Sequence, residues 1–110
     1  MHLETHNEVH GEICTIKIIG LLDYSTIDSF KADIPNLINK IIVDFTSLDF
    51  IDSTGIGAVL SILYEASARG IGVEFAGLNE AVNELFSTVG VFQIMKGLGV
   101  GVGQRCSGKL

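Results

Sequence analysis

The residues with the clearest chemical potential lie together in the middle of the chain, where two hydroxyl residues follow an aspartate and precede two glycines. The sequence there is Asp52-Ser53-Thr54-Gly55-Ile56-Gly57. An apolar run typical of a strand precedes it and a helical pattern follows, which places both hydroxyls at a helix N-terminus. The free N–H groups and positive dipole end there suit a capping side chain or a phosphate. These residues alone therefore leave two interpretations, a helix cap or a phosphoryl acceptor.

A nucleophilic serine is the first enzymatic alternative, and the pattern does not favour it. A hydrolase elbow requires Gly-x-Ser-x-Gly, and Ile51 occupies the first glycine position. All three histidines precede Ser53, whereas the histidine of that fold normally follows the serine. We therefore do not interpret Ser53 as the nucleophile of a serine hydrolase.

The histidines themselves are a second candidate, as metal ligands. His2, His6 and His10 recur every four residues, which puts them on one side of either a helix or a strand. They occupy the first ten residues and have no cysteine nearby. Solvated histidines at a strand edge or terminus are the more ordinary interpretation, so we predict no metal site.

Two further phosphate chemistries are weakly suggested. The segment Gly103-Gln104-Arg105-Cys106-Ser107-Gly108-Lys109 matches the first seven positions of a P-loop, but Leu110 stands where a Ser or Thr must hold magnesium. An aspartyl phospho-acceptor would need an acidic pair after the first strand, and Asp23 alone does not supply one. The residues that suggest such an acceptor are Asp44, Asp49 and Asp52. We predict no cofactor.

Composition restricts the possible partners. The chain has 110 residues, 47% of them hydrophobic and 18% charged, and a net charge of −6, which indicates a globular domain. Because no basic cluster occurs, we expect no nucleic-acid binding. Cys14 and Cys106 have no metal-ligand spacing and do not suggest a disulfide framework, which favours the reducing cytoplasm. The N-terminus does not resemble a signal peptide, and the longest apolar stretch, 56–64, is too short to cross a bilayer.

The hydrophobic periodicity predicts alternating strands and helices. Strands are expected at 3–7, 12–19, 41–45 and 72–76, with Cys14, Ile16 and Ile18 on one face of the second, which lies near an edge or is half-covered. The run 41–45 predicts a strand covered on both faces. A turn is expected at 7–11, and Gly20-Leu21-Leu22-Asp23 is expected to leave the sheet.

Three helices are predicted between these strands. The first begins at Ser25 or Thr26 and is interrupted at Pro35, the second covers 54–69, and the third begins at Leu78 or Asn79 and ends at Gly90. Residues 91–95 are expected to form a short strand or an apolar plug. The alternation predicts an α/β fold with a mixed, mostly parallel sheet, with ligands or partners at the carboxyl ends of its strands. We expect one domain over residues 1–96 and a mobile glycine-rich tail over 97–110.

Several of these segments together resemble a known family. They are Gly20-Leu21-Leu22-Asp23, Ile42-Val43-Asp44-Phe45, the run Leu48-Asp49-Phe50-Ile51 that leads into Asp52-Ser53-Thr54-Gly55-Ile56-Gly57, and the predicted helix over 78–91. The chain resembles the STAS domain, specifically the bacterial anti-sigma factor antagonists, over residues 12–95. The resemblance implies a single STAS-type domain with helices packed on the sheet.

The resemblance also implies a function, that of a switch protein that is not an enzyme and has no catalytic residue. In such proteins the serine after the aspartate, here Ser53, is phosphorylated by an anti-sigma factor that is also a serine kinase, and a PP2C-type phosphatase reverses the modification. The unphosphorylated form binds the anti-sigma factor and frees its sigma factor. Thr54 is the second choice of acceptor. The residues that the resemblance assigns to partner binding are Asp23, Asp52, Ser53, Thr54, Gly55, Ile56 and Gly57.

The chain departs from the family pattern at three places. Leu21 stands where the family has an acidic residue, the segment before the motif is shorter and carries Pro35, and the glycine-rich tail replaces a C-terminal helix. These departures affect the surface that would distinguish one kinase from another. The alternative function is a STAS scaffold or transport-accessory subunit in which Ser53 is structural.

Overall fold

A computed structural model describes residues 2–30 and 33–99. The five strands are β1 (Leu3–His10), β2 (Ile13–Leu22), β3 (Lys40–Asp44), β4 (Leu48–Ile51) and β5 (Gly72–Ala76). The helices are α1 (Ser53–Ala68), α2 (Glu80–Val89) and α3 (Val91–Leu98), with a 3-10 turn at Ile27–Ser29. Since β1 is antiparallel and the other pairings are parallel, the predicted α/β fold with a mixed, mostly parallel sheet is confirmed.

The strand order positions the candidate site. The sheet runs β1-β2-β3-β5, and β4 also pairs with β2. β3 lies beside the first part of β2, from Ile13 to Lys17, whereas β4 lies beside its last residues, where Leu22 is opposite Ile51. The chain segments that follow Leu22 and Ile51 therefore emerge side by side at one end of the sheet.

The core lies on one face of the sheet, beneath the helices. Cys14, Ile16 and Ile18 of β2 are completely buried on this face, as the alternation predicted. Phe45, Phe75 and Phe86 meet edge-to-face with ring centroids 5.3–5.6 Å apart, the geometry that aromatic quadrupoles favour. On the opposite face of β2, Ile13 and Lys17 are exposed. β2 is therefore half-covered, one of the two predicted alternatives, although it lies inside the sheet.

Two helices match the sequence pattern closely. α1 begins and ends within one residue of the predicted 54–69, and Val59, Leu63 and Ala66 on its predicted stripe are completely buried. α2 begins after Asn79, whose side chain accepts a hydrogen bond from the Val82 N–H (2.8 Å), and it ends at Gly90 in the left-handed conformation.

The strand predictions need three corrections. β1 continues through His10, where a turn was predicted from residue 7, and β2 continues through Leu22, where the chain was expected to leave the sheet. β4 was not predicted at all. Pairing with β2 extends β1 and creates β4, and pairing with β1 and β4 extends β2, although the residues of these segments indicate a strand only weakly.

The helix predicted from Ser25 or Thr26 is wrong. Among the described residues between β2 and β3, the 3-10 turn Ile27–Ser29 is the only helical segment, and the Thr26 side chain does not cap it. The buried Thr26 hydroxyl instead donates to the Leu21 C=O (2.8 Å) and accepts from the Asp23 N–H (3.0 Å). These bonds hold the chain in a tight turn, and Pro35 cannot lie in the interior of a helix that continues from it.

Two later segments also differ from expectation. β3 is buried on one face only, through Ile41 and Val43, while Ile42 on the other face is half-buried, so the prediction of a strand covered on both faces is wrong. Residues 91–95 begin α3 instead of a strand or plug, with Val91 and Met95 buried one turn apart. α3 extends to Leu98, and the remainder of the predicted tail, from residue 100, lies outside the described residues.

Candidate functional site

Asp23 and Asp52 follow directly on two paired strands, so the sheet brings together two segments that are distant in sequence. The Asp52 N–H donates to the Leu22 C=O (3.4 Å). This is the end of the sheet at which partners were expected to bind. The structure thus places the predicted residue Asp23 beside the predicted segment that begins at Asp52.

The Asp52 carboxylate holds this site together through both of its oxygens. Oδ1 accepts from the Gly55 N–H (3.0 Å), which makes Asp52 the N-cap of α1. Oδ2 accepts from the Tyr24 N–H (3.2 Å) in the turn after β2. The interpretation of Ser53 or Thr54 as the helix cap is therefore wrong, because Asp52 performs that function.

Ser53 is the first residue of α1 and is exposed. Within the described part of the chain, its hydroxyl makes no hydrogen bond. The backbone N–H groups of Gly55 and Ile56 are occupied by Asp52 Oδ1 and the Asp52 C=O, respectively. Thr54 is half-buried beside Ser53. Of the two hydroxyl residues, Ser53 is therefore the one more accessible to another protein.

The two glycines of the motif have different environments. A Cβ at Gly55 would lie 2.3 Å from the Leu22 carbonyl oxygen and 2.7 Å from Ile51 Cγ1, so Gly55 allows α1 to approach the ends of β2 and β4. A Cβ at Gly57 would meet nothing within 4 Å. Gly57 lies one helical turn after Ser53, on the same side of α1, and leaves the surface beside Ser53 open.

Asp23 organises the turn that faces the α1 N-terminus. Its Oδ1 accepts from the Ser25 hydroxyl (2.7 Å), the Ser25 N–H (2.9 Å) and the Thr26 N–H (3.2 Å). The pKa of Asp23 lies below its ordinary value, mainly because the Ser25 hydroxyl donates a hydrogen bond to the carboxylate. Asp23 is therefore an anion at neutral pH, and Tyr24 beside it is 81% exposed.

A groove that the sequence did not indicate lies alongside α1. Its volume is about 400 Å³, and its lining residues are Ile27, Phe30, Thr54, Ala58, Ser61, Ile62 and Glu65. It could not be predicted because a helix was expected where the 3-10 turn and its following segment lie. Thr54 belongs to both the motif and the groove, so the groove begins next to Ser53.

The surroundings of the site are acidic. Asp52 directly precedes Ser53, Asp23 precedes the Tyr24 N–H that donates to Asp52, and Asp28 and Asp49 are exposed nearby in sequence. At the far end of the groove, Arg69 is bound by Glu65 (3.0 Å) and by the carbonyls of Ile34 and Pro35. This arrangement favours a partner with basic side chains.

The other candidate sites lie partly within and partly outside the described residues. Among the residues the structure describes, no three His, Cys, Asp or Glu side chains are placed to hold a metal ion. The P-loop-like segment 103–109 lies outside the described residues. Residues 2–30 and 33–99 contain no helix that is both long and apolar enough to cross a membrane.

Comparison with known proteins identifies the family. The STAS domain model matches residues 4–101, and the chain belongs to this family. A relative in sequence is the anti-sigma F factor antagonist of Paenibacillus polymyxa, 26% identical over 100 residues that cover 86% of each chain. The resemblance stated from the motif is therefore confirmed.

Solved structures show the same fold. An anti-sigma factor antagonist STAS domain from Rhodobacter sphaeroides has a TM-score of 0.64 at 19% identity, covering 72% of this chain and 90% of that one. The phosphorylated form of Bacillus SpoIIAA has a TM-score of 0.58 at 19% identity, covering 96% and 94%. A sulfate transporter family protein from Wolinella succinogenes has a TM-score of 0.70 at 17% identity, covering 87% and 81%.

Proposed function

We propose that this protein is a phosphorylation-switched anti-sigma factor antagonist with Ser53 as the acceptor. The observation that carries the proposal is that Ser53 is exposed at a helix N-terminus with an unbonded hydroxyl, while Asp52 caps the helix. A serine needed as a cap would be occupied by the backbone. Ser53 is instead available to the active site of another protein.

The proposed modification transfers the γ-phosphoryl group of ATP to Ser53. The Ser53 Oγ attacks the γ-phosphorus, the bond from that phosphorus to the β,γ-bridging oxygen breaks, the hydroxyl proton is released, and ADP leaves. A partner that is both anti-sigma factor and serine kinase supplies the active site. A PP2C-type phosphatase hydrolyses the ester and returns Ser53. The antagonist contributes no catalytic group and acts as a protein-binding module in the cytoplasm.

The phosphate would act locally. It adds about −1.5 to −2 charges at pH 7. The N-terminal end of α1 can tolerate this charge without unfolding, since the helix dipole favours anions there. Asp23 and Asp52 already make the surface negative, so the added charge chiefly opposes a bound partner. Changing a complex from nearly all bound to nearly none requires about 5.5 kcal/mol of differential affinity, which a desolvated and unmatched phosphate can supply.

The proposed partner surface combines a charged rim with an apolar depression. The rim contains Asp23 and Asp52 and the exposed surface around Ser53 and Gly57. The depression is the groove between α1 and residues 27–30. We expect the unphosphorylated surface to bind basic and apolar side chains of the anti-sigma factor, and that binding frees the sigma factor.

The test uses the full chain with its anti-sigma factor kinase and ATP. Intact-mass spectrometry should show one added phosphoryl group on the wild type and on Thr54→Val, and none on Ser53→Ala. Thr54→Val is the matched control because it removes the neighbouring hydroxyl and keeps a β-branched side chain. Phosphorylation that persists in Ser53→Ala and disappears in Thr54→Val would assign the acceptor to Thr54.

Binding supplies the second measurement. Each antagonist variant is titrated into the kinase in the presence of ADP. The wild type and Ser53→Ala should bind, and Ser53→Asp, which introduces a charge, should bind weakly or not at all. Equal affinity of all three proteins would contradict the switch. Circular dichroism of Ser53→Asp should remain that of the wild type, since the effect is local.

The alternative is a STAS scaffold or transport-accessory subunit in which Ser53 is structural. The observation that supports this alternative is the fold similarity to a sulfate transporter family protein. In that case Ser53→Ala would reduce stability and no kinase would modify the wild type. The thermal stability of Ser53→Ala and the mass of the kinase-treated wild type therefore separate the two functions.

A further inference from the structure

The outer edge of β1 is a strand edge whose backbone groups have no partner in the described structure. β1 pairs with β2 on one side only and forms the border of the sheet. In the segment between β2 and β3, the Asp33 C=O accepts a hydrogen bond from Asn7 Nδ2 of β1 (3.1 Å). An unpaired strand edge is a template for pairing with another chain.

The direction of the backbone groups can be read from the neighbouring hydrogen bonds. At one end of β2, the Leu21 N–H donates to the His2 C=O (2.8 Å). At the other end, the Glu12 C=O accepts from Asn39 and Lys40, on the β3 side. His2 and Leu21 therefore form a hydrogen-bonded pair. Such pairs recur at every second residue of an antiparallel ladder, so the even-numbered residues of β1 bond to β2. The N–H and C=O groups of Thr5, Asn7 and Val9 therefore point outward.

The side chains of β1 carry a regular charge pattern. On the face of the sheet away from the helices, imidazoles alternate with carboxylates along the strand, and the series is His2, Glu4, His6, Glu8 and His10. Glu4 is already 3.3 Å from both His2 and His6, and the hydrogen bonds from His6 and His2 hold its pKa below the ordinary value. Lys17 is the cross-strand neighbour of His6, and Thr15 is that of Glu8.

We propose that β1 binds β1 of a second copy of this chain, antiparallel, with Asn7 opposite Asn7. In this register Thr5 is opposite Val9 and the outward backbone groups form the ladder. Each Glu4 then lies opposite a His10, and each His6 opposite a Glu8. Every imidazole within residues 4–10 meets a carboxylate, whether it donates as a neutral N–H or as a cation.

The charge pattern selects among the possible registers. A shift that puts Asn7 opposite Thr5 places Glu4 opposite Glu8 and His6 opposite His6, which is unfavourable. A register with Thr5 opposite Thr5 restores the imidazole–carboxylate pairs but overlaps only residues 3–7 of the strand. The two-fold register centred on Asn7 therefore combines the longest overlap with complementary charge. It also covers Val9, whose side chain is 49% exposed.

A pair of charge variants tests the pairing. In sedimentation velocity over a dilution series, the wild type should pass from 11.8 kDa to a dimer as concentration rises. His6→Glu places like charges opposite each other twice in each dimer and should weaken association about tenfold. The double variant His6→Glu/Glu8→His should restore it. Wild type that remains monomeric at every concentration overturns the proposal, and so does a double variant no stronger than the single one.

Cysteine cross-linking tests the register independently of affinity. The variant Asn7→Cys, in a Cys106→Ser background, has one cysteine on each side of the two-fold axis. Their Cα atoms would be about 5.5 Å apart, which suits a disulfide bond. Cys14 is fully buried and does not interfere. Oxidation should link Asn7→Cys into a covalent dimer and leave the matched Thr5→Cys monomeric. Preferential linking through Thr5→Cys, or no linking by either variant, contradicts the register centred on Asn7.

Discussion

The two sides of the first turn of α1 serve different purposes although they come from one short motif. On the inner side, Gly55 and Ile51 are buried against Leu22, and a single added carbon would meet the Leu22 backbone. On the outer side, Ser53 and Gly57 are exposed, and the space beside Gly57 is open. Asp52 lies between the two sides and fixes the helix start.

The comparison shows that one motif holds residues under different constraints. The inner side is restricted by packing, since α1 must approach the ends of β2 and β4 closely. The outer side has no packing requirement among the described residues, so its small side chains need another explanation, and a docking surface provides one. Substitutions at matched positions on the two sides should therefore separate stability from function.

Gly55→Ala should have the largest effect on stability. Its Cβ would lie 2.3 Å from the Leu22 carbonyl oxygen, and backbone atoms cannot move aside cheaply. Overpacking of this kind costs about 1–3 kcal/mol, which lowers the melting temperature by roughly 4 °C for each kcal/mol. Thermal unfolding by circular dichroism measures it. A melting temperature equal to that of the wild type would mean that α1 does not pack closely at Gly55.

Asp52→Ala should be the next most destabilising change, by about 0.5–2 kcal/mol. It removes the cap on the Gly55 N–H and the bond to the Tyr24 N–H, so both sides of the turn lose their shared support. Asp52→Asn is the matched control, because its amide oxygen can still accept from the Gly55 N–H while its NH2 group cannot accept from the Tyr24 N–H, so its loss of stability should be smaller than that of Asp52→Ala. Urea unfolding of the three proteins tests the order, and equal loss in both variants would mean that the bond to Tyr24, and not the cap, provides the stability.

Gly57→Ala should have the opposite sign. The position is helical, exposed and open, so alanine should stabilise the protein by about 0.5–1 kcal/mol through reduced chain entropy. If the outer side is a docking surface, the same variant should be phosphorylated more slowly, because the new methyl group lies beside Ser53. A variant that is more stable and equally good as a substrate would remove Gly57 from the proposed surface.

Acidification should reveal the smallest effect, at Asp23. Its pKa is held below the ordinary value of 3.8, so its hydrogen bonds stabilise the folded state fully above that value and less as the pH falls through the folded-state pKa. Wild type should therefore be more stable than Asp23→Asn at neutral pH, and the difference should shrink in strong acid. Melting temperatures across an acid series test this, and a difference that grows on acidification would contradict it.

The periodicity of hydrophobic residues was enough to predict those helices and strands that bury one face against the core. The 3.6-residue stripe of α1 and the alternation of Cys14, Ile16 and Ile18 predicted burial correctly, because burial of one face imposes that period. β5 was predicted with its observed bounds, Gly72–Ala76. The Ser53 environment was also foreseen in outline, as a hydroxyl at a helix mouth at the carboxyl end of a strand.

Long-range pairing decided what local pattern could not. β4 is a strand because the last residues of β2 offer an unpaired edge, and the first predicted helix is absent because Thr26 is bound to Leu21. The choice of helix cap was also tertiary. Asp, Ser and Thr can each cap a helix, and Asp52 does so here because its second oxygen meets the Tyr24 N–H from another strand end.

By itself the sequence determined the fold class and the motif that begins α1, through side-chain types and their periodicity, and it indicated the family through the resemblance of its motifs to those of STAS domains. Only the tertiary structure decided that Asp52 caps the helix, that Gly55 is buried and Gly57 is open, and that a groove begins next to Ser53. The reason is physical: a cap, a close approach and a groove each depend on atoms brought together from segments that are distant in the chain.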